Sequence, residues 1–581
     1  MILITTADKD TIEERQNRLL LGEWCRSYKI NDTELYKIMP YPWSDKTKKK
    51  EAFYEIQEIY LCLLSSLKDY LNNIHCVDES ESYWELIIGA WLQLAIAIIY
   101  ERYNCLIEAR NNYSISDTLI FHPSMKKDPA DDYIDFSGRD IIDDEWNLFI
   151  YSQMIFENKL FNYTIIDKYK SIEKNNDGLN YRIDLKKMIK KGLSKIFKFT
   201  TGKNTKVYFS NSYFPPFSLI KLQLRLKQMP NLFSPNVKVS NSLTHWEIRE
   251  KLSISTDNEL MILMAKLIPL IMPKAYLESF HKLKKDSLNS FPKVVKLINT
   301  GISDIADDGF KIWAAEQIKL GVPLTINQHG GCYGVSDLLH GELFQTKIAN
   351  KFYSWGWSEG SNVFPMPASK LIGIRQKNKS KSNENILLIL FNHSRYSYWF
   401  QSFPVAEQMK EYFNEQLAFL DKLNLETLNA LKIRYYPKDF GWRVEQRFAD
   451  AGYKSMKDNS SSLETAISNS KLCIATYNAT TFLETFSANV PTIIFWKPNH
   501  FPLRKSALEW YDKLKSVGIL HDNAISAAKK VNDISEAPGE WWNKPNVQKI
   551  KDEFCKQYAL KSDDWLEQWV VELETMIELN D

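Results

Sequence analysis

The densest grouping of chemically capable residues is NQHGGCYG (327–334), which directly follows the apolar run PLTIN. Two adjacent glycines with a third nearby let the backbone turn sharply and approach a ligand, presenting Gln328 and His329 beside Gly330 and Gly331. Imidazole titrates nearer neutrality than any other side chain, which suits a general base or a phosphate-binding donor. A tight turn whose His only bonds the backbone is the plainer alternative. TYNATTFLE (476–484) again reads as a strand end entering a helix, with Asn478 in the turn. Thr480 or Thr481 can cap that helix, whose free N–H groups attract an anion. Glu484, one turn in, could accept hydrogen bonds from ribose hydroxyls, or close a capping box with Thr481.

Two further strand mouths carry phosphate-competent groups. FNHSRYSYW (391–399) offers His393, Ser394 and Arg395; RYYPKDFGWR (434–443) offers Arg434, Lys438 and Arg443 around Tyr436-Pro437. Either alone reads as a solvated loop, but a common fold edge would bring them together. Near the start, TTADKD (5–10) and LGEWCR (21–26) place Asp8, Asp10, Glu23 and Arg26 after the first two apolar runs. A carboxylate there could activate an acceptor or form a surface salt bridge. Asp8-Lys9-Asp10 formally matches a metal-binding DxD, but a three-residue match does not make a metal site. The nine His are scattered with no HExxH, so no metal is expected.

The elements that must position these groups alternate. MILITT and LLLG read as short buried strands, followed by helices over about 51–73 and 81–103, with Ser80 or Ser82 as a cap. Residues 104–205 read as polar and irregular, with helices near 139–157 and 184–197. VYFS, a helix near 218–228 and one long helix over 257–285 come next. From about 293, apolar runs of strand length alternate with helices through VVKLINT, PLTIN, KFYSWG, NILLILFN, KIRYYP, LCIATYN and PTIIFW. That rhythm predicts parallel sheets with right-handed crossovers, and ligands in such folds sit beyond the C-terminal strand ends. The charged stretch 375–384 separates two such series. The expected organisation is an α/β domain over 1–374 with a helical insertion at about 45–205, a second over 384–540, and closing helices over 541–581 that pack back on the first.

Composition limits the function classes. The 581 residues carry 74 Lys+Arg against 72 Asp+Glu, a net charge of +2, which gives no reason to expect nucleic acid as a partner. Seven Cys without CxxC spacing fit reduced thiols in a cytoplasmic protein. The longest apolar stretch, 86–100, is short for a membrane span and reads as a buried core helix. Glycine is scarce, yet Gly321, Gly330, Gly331, Gly334, Gly341, Gly356 and Gly360 crowd into one segment.

Taken together, these segments resemble the C-terminal half of GT-B glycosyl- and glycerophosphotransferases of bacterial surface polymers, namely the CDP-glycerol glycerophosphotransferases and the CMP-sugar capsule transferases. Thr480 and Thr481 stand where that group has two serines, and Gln328-His329-Gly330-Gly331 matches its WHGT-like loop. Ile433-Arg434-Tyr435-Tyr436-Pro437 matches its IRLHP, with Tyr436 replacing His. Across nearly the whole length, LGEWC, YPWSD, QHGGCYG, YPKDFGW and TYNATTFLE resemble a transferase family of O-antigen and other surface-carbohydrate gene regions. That resemblance implies a GT-B-like α/β fold with two Rossmann-type domains across a cleft. It also implies transfer of a sugar from a nucleotide donor, CMP-sugar weakly preferred, to a glycan or lipid-linked glycan, with no tightly bound cofactor and no catalytic metal. On this reading Gln328, Gly330, Gly331, His393, Ser394, Arg395, Arg434, Tyr436, Lys438, Asn478, Thr480, Thr481 and Glu484 hold the donor. His329, Glu23 and Asp8 serve catalysis, and a lipid-linked acceptor implies peripheral contact with the inner membrane, for which Lys46–Lys50 is a candidate, an ordinary solvated charge run being the plainer reading of it. An epimerase of the same fold and a non-catalytic assembly scaffold are the rivals.

Overall fold

The computed structural model describes residues 1–8, 17–26, 36–166, 205–239, 242–254, 256–374 and 385–579. Lys9, Asp10, the helix expected near 184–197 and the 375–384 stretch lie outside them. Three five-stranded sheets, all parallel, form the frame. The first contains β1 (Ile2–Ile4), β2 (Arg18–Leu20), β3 (Tyr36–Ile38), β4 (Asp117–Phe121) and β5 (Tyr163–Ile166), in the order β3-β2-β1-β4-β5. The second runs sequentially through β6 (Val207–Ser210), β7 (Leu297–Thr300), β8 (Leu324–Asn327), β9 (Lys351–Ser354) and β10 (Val363–Pro365). The third contains β11 (Asn385–Ile389), β12 (Leu431–Arg434), β13 (Ser470–Ala475), β14 (Thr492–Phe495) and β15 (Leu520–His521), in the order β12-β11-β13-β14-β15. Apolar runs such as NILLI and TIIF suit strands covered on both faces. Strand order reverses beside β1 in the first sheet and beside β11 in the third, where crevices open for ligands.

The α/β class and the parallel sheets agree with the sequence reading, but residues before 374 carry two sheets rather than one domain with an insertion. Helices α1 (Lys46–His75) and α2 (Glu81–Asn112) are the crossover from β3 to β4. The stretch read as irregular supplies β4 and β5. DTLIF is short and comes closely after the apolar α2, while YTII is a mostly exposed edge strand, so neither announces itself. The helix expected over 257–285 is two, Glu259–Ile271 and Phe280–Ser290. Pro273 accounts for the break by forcing Met272 into extended backbone (ψ 127).

Helix α2 is the hub. Ser80 caps it by accepting the Tyr83 N–H at 3.2 Å, and its apolar window, long enough to cross a membrane, lies inside the protein. Its buried Arg102 binds Asn147 Oδ1 at 2.9 Å, Glu101 at 3.1 Å and the Ser397 carbonyl at 3.2 Å, joining the first sheet's helices to a loop of the third sheet. The last helix, Trp565–Glu578, packs Trp569, Leu573 and Ile577 with Val207, Phe209 and Leu297 of the second sheet.

Candidate active site

The C-terminal strand ends of the third sheet meet the other two sheets at separate junctions. At the first, the loop after β8 abuts the helix Thr480–Ser487 after β13. The Gly331 N–H donates to Thr480 Oγ1 at 3.0 Å, and Lys370 pairs with Glu484 at 3.3 Å. A Cβ on Gly331 would stand 2.8 Å from the Ala479 carbonyl carbon, so only glycine allows this approach. Gly334 has φ +74 and a Cβ there would strike Trp357, the second position that needs glycine. The loop is tied on to segment 502–504 by Arg504 N–H to Val335 O at 2.9 Å and Asp337 N–H to Pro502 O at 3.1 Å.

His329 lies between two aromatic rings, stacked on Tyr213 (centroids 5.8 Å apart, planes 16°) and edge-on to Tyr333 at 5.1 Å. Tyr213 lies in the loop after β6 with φ 64, and Lys370 sits 5.8 Å above its ring. Burial, and then the Lys370 charge, push the His329 imidazole down to about 4, while the Gly301 carbonyl acts in the opposite direction. The ring is therefore neutral near pH 7: it can accept a proton but brings none to a leaving phosphate. Its Nδ1 is buried without a hydrogen-bond partner. Tyr477 is bonded to Thr481, and the Glu484 charge, after burial, helps hold its hydroxyl protonated.

At the second junction, the loop after β11 faces the first sheet's strand ends. Arg395 and the Tyr396 hydroxyl both bind the Asp144 carboxylate, and Tyr396 also accepts the Ala7 N–H at 3.4 Å. Asp8, 9% exposed, comes directly after Ala7. Glu23 forms an ion pair with Lys410 of the helix Glu407–Asp421 at 3.2 Å. Lys438 donates to the Gly138 carbonyl at 2.7 Å, and Trp442 to the His393 carbonyl at 2.9 Å. Expected as one catalytic set, His329 thus has its partners at the first junction, while Glu23 and Ala7, the neighbour of Asp8, have contacts at the second.

Several expected contacts are spent on structure. Gln328 Oε1 accepts from Trp355 N–H (2.9 Å) and Trp357 Nε1 (2.8 Å), and Nε2 donates to the Gly330 carbonyl, so the side chain shapes the loop. The Arg434 guanidinium is held by Asp458 at 2.7 Å and the Ser460 carbonyl at 2.8 Å. Asn478 accepts from Tyr511 at 2.7 Å. The expected capping box is absent: Ala479 is the N-cap, Thr480 opens the helix, and Thr481 turns to Tyr477. The Lys46–Lys50 run is solvated in part: Lys46 and Lys48 are exposed, while Lys49 is buried and Lys50 pairs with Asp337 at 3.1 Å. Sequence reasoning misses Tyr213, Lys370, Asp144 and Tyr396; only Tyr213, a strand-end residue in NSYFPP, carries any signal.

Solved structures similar in part to this chain include the wall teichoic acid polymerase TagF, at 10% identity over 68% of this chain and 96% of that one, TM-score 0.30. Acinetobacter baumannii MurG aligns at 13% identity over 64% and 100%, TM-score 0.30. WaaG, a glycosyltransferase involved in lipopolysaccharide biosynthesis, aligns at 11% identity over 63% and 99%, TM-score 0.26. Likenesses this distant assign no role to any residue. Among curated proteins, none matches the sequence. The LIC12162 family transferase model matches residues 1–573, and the chain therefore belongs to the LIC12162 family of transferases.

Proposed function

We propose that this transferase moves a sugar from a nucleotide-activated donor, CMP-sugar weakly preferred, to a surface-polysaccharide acceptor, in the GT-B manner across facing strand ends. The observation that carries the reading is the first junction, where the glycine-dependent His329 loop meets the helix bearing Thr480 and Glu484. Residues 384–540 hold the donor beside the β11–β13 switch point, with Glu484 accepting from ribose hydroxyls. The first sheet, with Asp8 and Glu23, receives the acceptor. In the transfer, an acceptor hydroxyl gives its proton to a base, its oxygen bonds the anomeric carbon, and the sugar–phosphate bond breaks. Neutral His329 fits the base. Cations such as Lys370 and Arg395 offset charge on the departing nucleotide, and two facing sheets fix the reactants' orientation. Such an enzyme would be cytoplasmic and would touch the inner membrane at its acceptor.

The test is transfer from a nucleotide sugar, measured for the wild type, His329→Ala and Glu484→Ala. Near-wild-type rates in both variants would overturn the site assignment, and sugar isomerisation without an acceptor would mark an epimerase instead.

A further inference from the structure

The second junction holds an excess of buried donors with no acceptor. His393, Ser394 and Arg395 are 6%, 4% and 8% exposed, and His393 Nε2, Ser394 Oγ and Arg395 Nε are buried without hydrogen-bond partners. The Ser394 N–H donates to His393 Nδ1, which fixes the tautomer: Nε2 carries the hydrogen and must donate. Lys49, 6% exposed in the first turn of α1, is linked to this loop through a chain of contacts. Its ammonium donates to the Phe403 carbonyl at 2.9 Å, Phe403 packs on Trp399, and Trp399 lies 4.2 Å from the His393 ring.

Among the described residues Lys49 has no carboxylate partner. The acids of these elements are engaged elsewhere: Asp45 caps α1, Glu407 accepts from Ser44 at 2.7 Å, and Asp144 is taken by Arg395 and Tyr396. Burial without a counter-charge is costly to an ammonium, more so at the positive end of a helix, and pushes the Lys49 amine down to about 7; the unmet donors of the 393–395 loop carry a cost of their own. The Lys49 charge acts on His393, whose imidazole is pushed down to about 3 by burial and then by Lys49. An anion would relieve every one of these defects together.

We propose that Lys49, with His393 Nε2, Ser394 Oγ and Arg395 Nε, forms a buried oxyanion site that holds a phosphate group of the donor. The inference rests on the donor being a nucleotide, and it adds a residue from outside the donor-binding sheet to that site.

The test compares the full-length wild type with Lys49→Met in thermal unfolding, alone and with inorganic phosphate, pyrophosphate or CDP. Phosphate and pyrophosphate should stabilise the wild type, and Lys49→Met should bind them about 10- to 100-fold more weakly, as losing one charged hydrogen bond implies. Without ligand, the variant should melt at the same temperature or higher, because a buried unpaired charge has been replaced by an apolar chain. A purely structural lysine predicts the reverse, a lower melting temperature with unchanged phosphate affinity, and that result overturns the site. Should Lys49→Met not fold, Ser394→Ala removes one donor without a charge and must still weaken phosphate binding several-fold. CDP binding that is tight and unaffected by either variant overturns the site and leaves the donor reading standing. Phosphate binding that depends on Lys49 in a protein that ignores nucleotides keeps the site and removes the donor reading.

Discussion

The two junctions of the third sheet solve opposite problems. Between β8 and β13 the charges are already paired, Lys370 to Glu484, and the backbone is locked by Gly331 on Thr480. Between β11 and the first sheet, Lys49 has only a carbonyl, and His393, Ser394 and Arg395 keep donors unmet. Apart from the unpartnered His329 Nδ1, the first junction is assembled without a ligand and serves as a frame around a neutral imidazole. The second is short of one anion. Phosphate binding is therefore expected at the second junction, and chemistry with the ribose contact of Glu484 at the first, and variants at the two should separate along that line.

The largest separation is expected from His329→Ala, which should lower kcat by about 10²- to 10⁴-fold, the range of a positioned general base, with little change in donor affinity. A steady-state kcat and KM comparison checks it; a loss confined to KM would assign His329 to binding. Gly331→Ala should come next. Its Cβ meets the Ala479 backbone and Leu483, so the junction must shift, costing roughly 1–3 kcal/mol of stability in denaturant unfolding. Gly330→Ala, whose nearest neighbour is Cys332 Sγ at 3.5 Å, should be far milder. Glu484→Ala should raise donor KM by about tenfold, the scale of one charged hydrogen bond, and should free Lys370. The smallest effect is in pH. With the His329 pKa held at about 4, below the 6.5 of an exposed imidazole, the base stays competent as pH falls through 6 and loses activity only as pH falls through about 4. An acid limb in kcat/KM near 6.5 would mean that a different group is the base.

Much of the frame was legible. Runs such as NILLI, LCIA and TIIF announce parallel strands, and glycine crowding picked out the loop that approaches another backbone. Thr480 and Glu484 could be found because strand-end turns into helices have a local signature. The remainder depends on distant partners. Lys370 sits in a short turn, Ser369–Leu371, with nothing local to connect it to Glu484. Lys49 looked like part of a solvated lysine run, and its burial is decided by a carbonyl 354 positions away. Arg434 looked available because Asp458 and Ser460, which hold it, come a whole helix later. The two-sheet N-terminal half was hidden because a strand of four or five residues beside a long apolar helix leaves no periodicity to read.

The most direct measurement of the central claim is thermal unfolding of the wild-type chain in CMP, CDP, UDP and GDP. A ligand that binds the native state at 100 times its Kd adds about 2.7 kcal/mol, a readily visible shift. The account predicts that at least one nucleotide, a cytidine nucleotide first, raises the melting temperature, and that Glu484→Ala shrinks the rise. No shift with any of the four would contradict it.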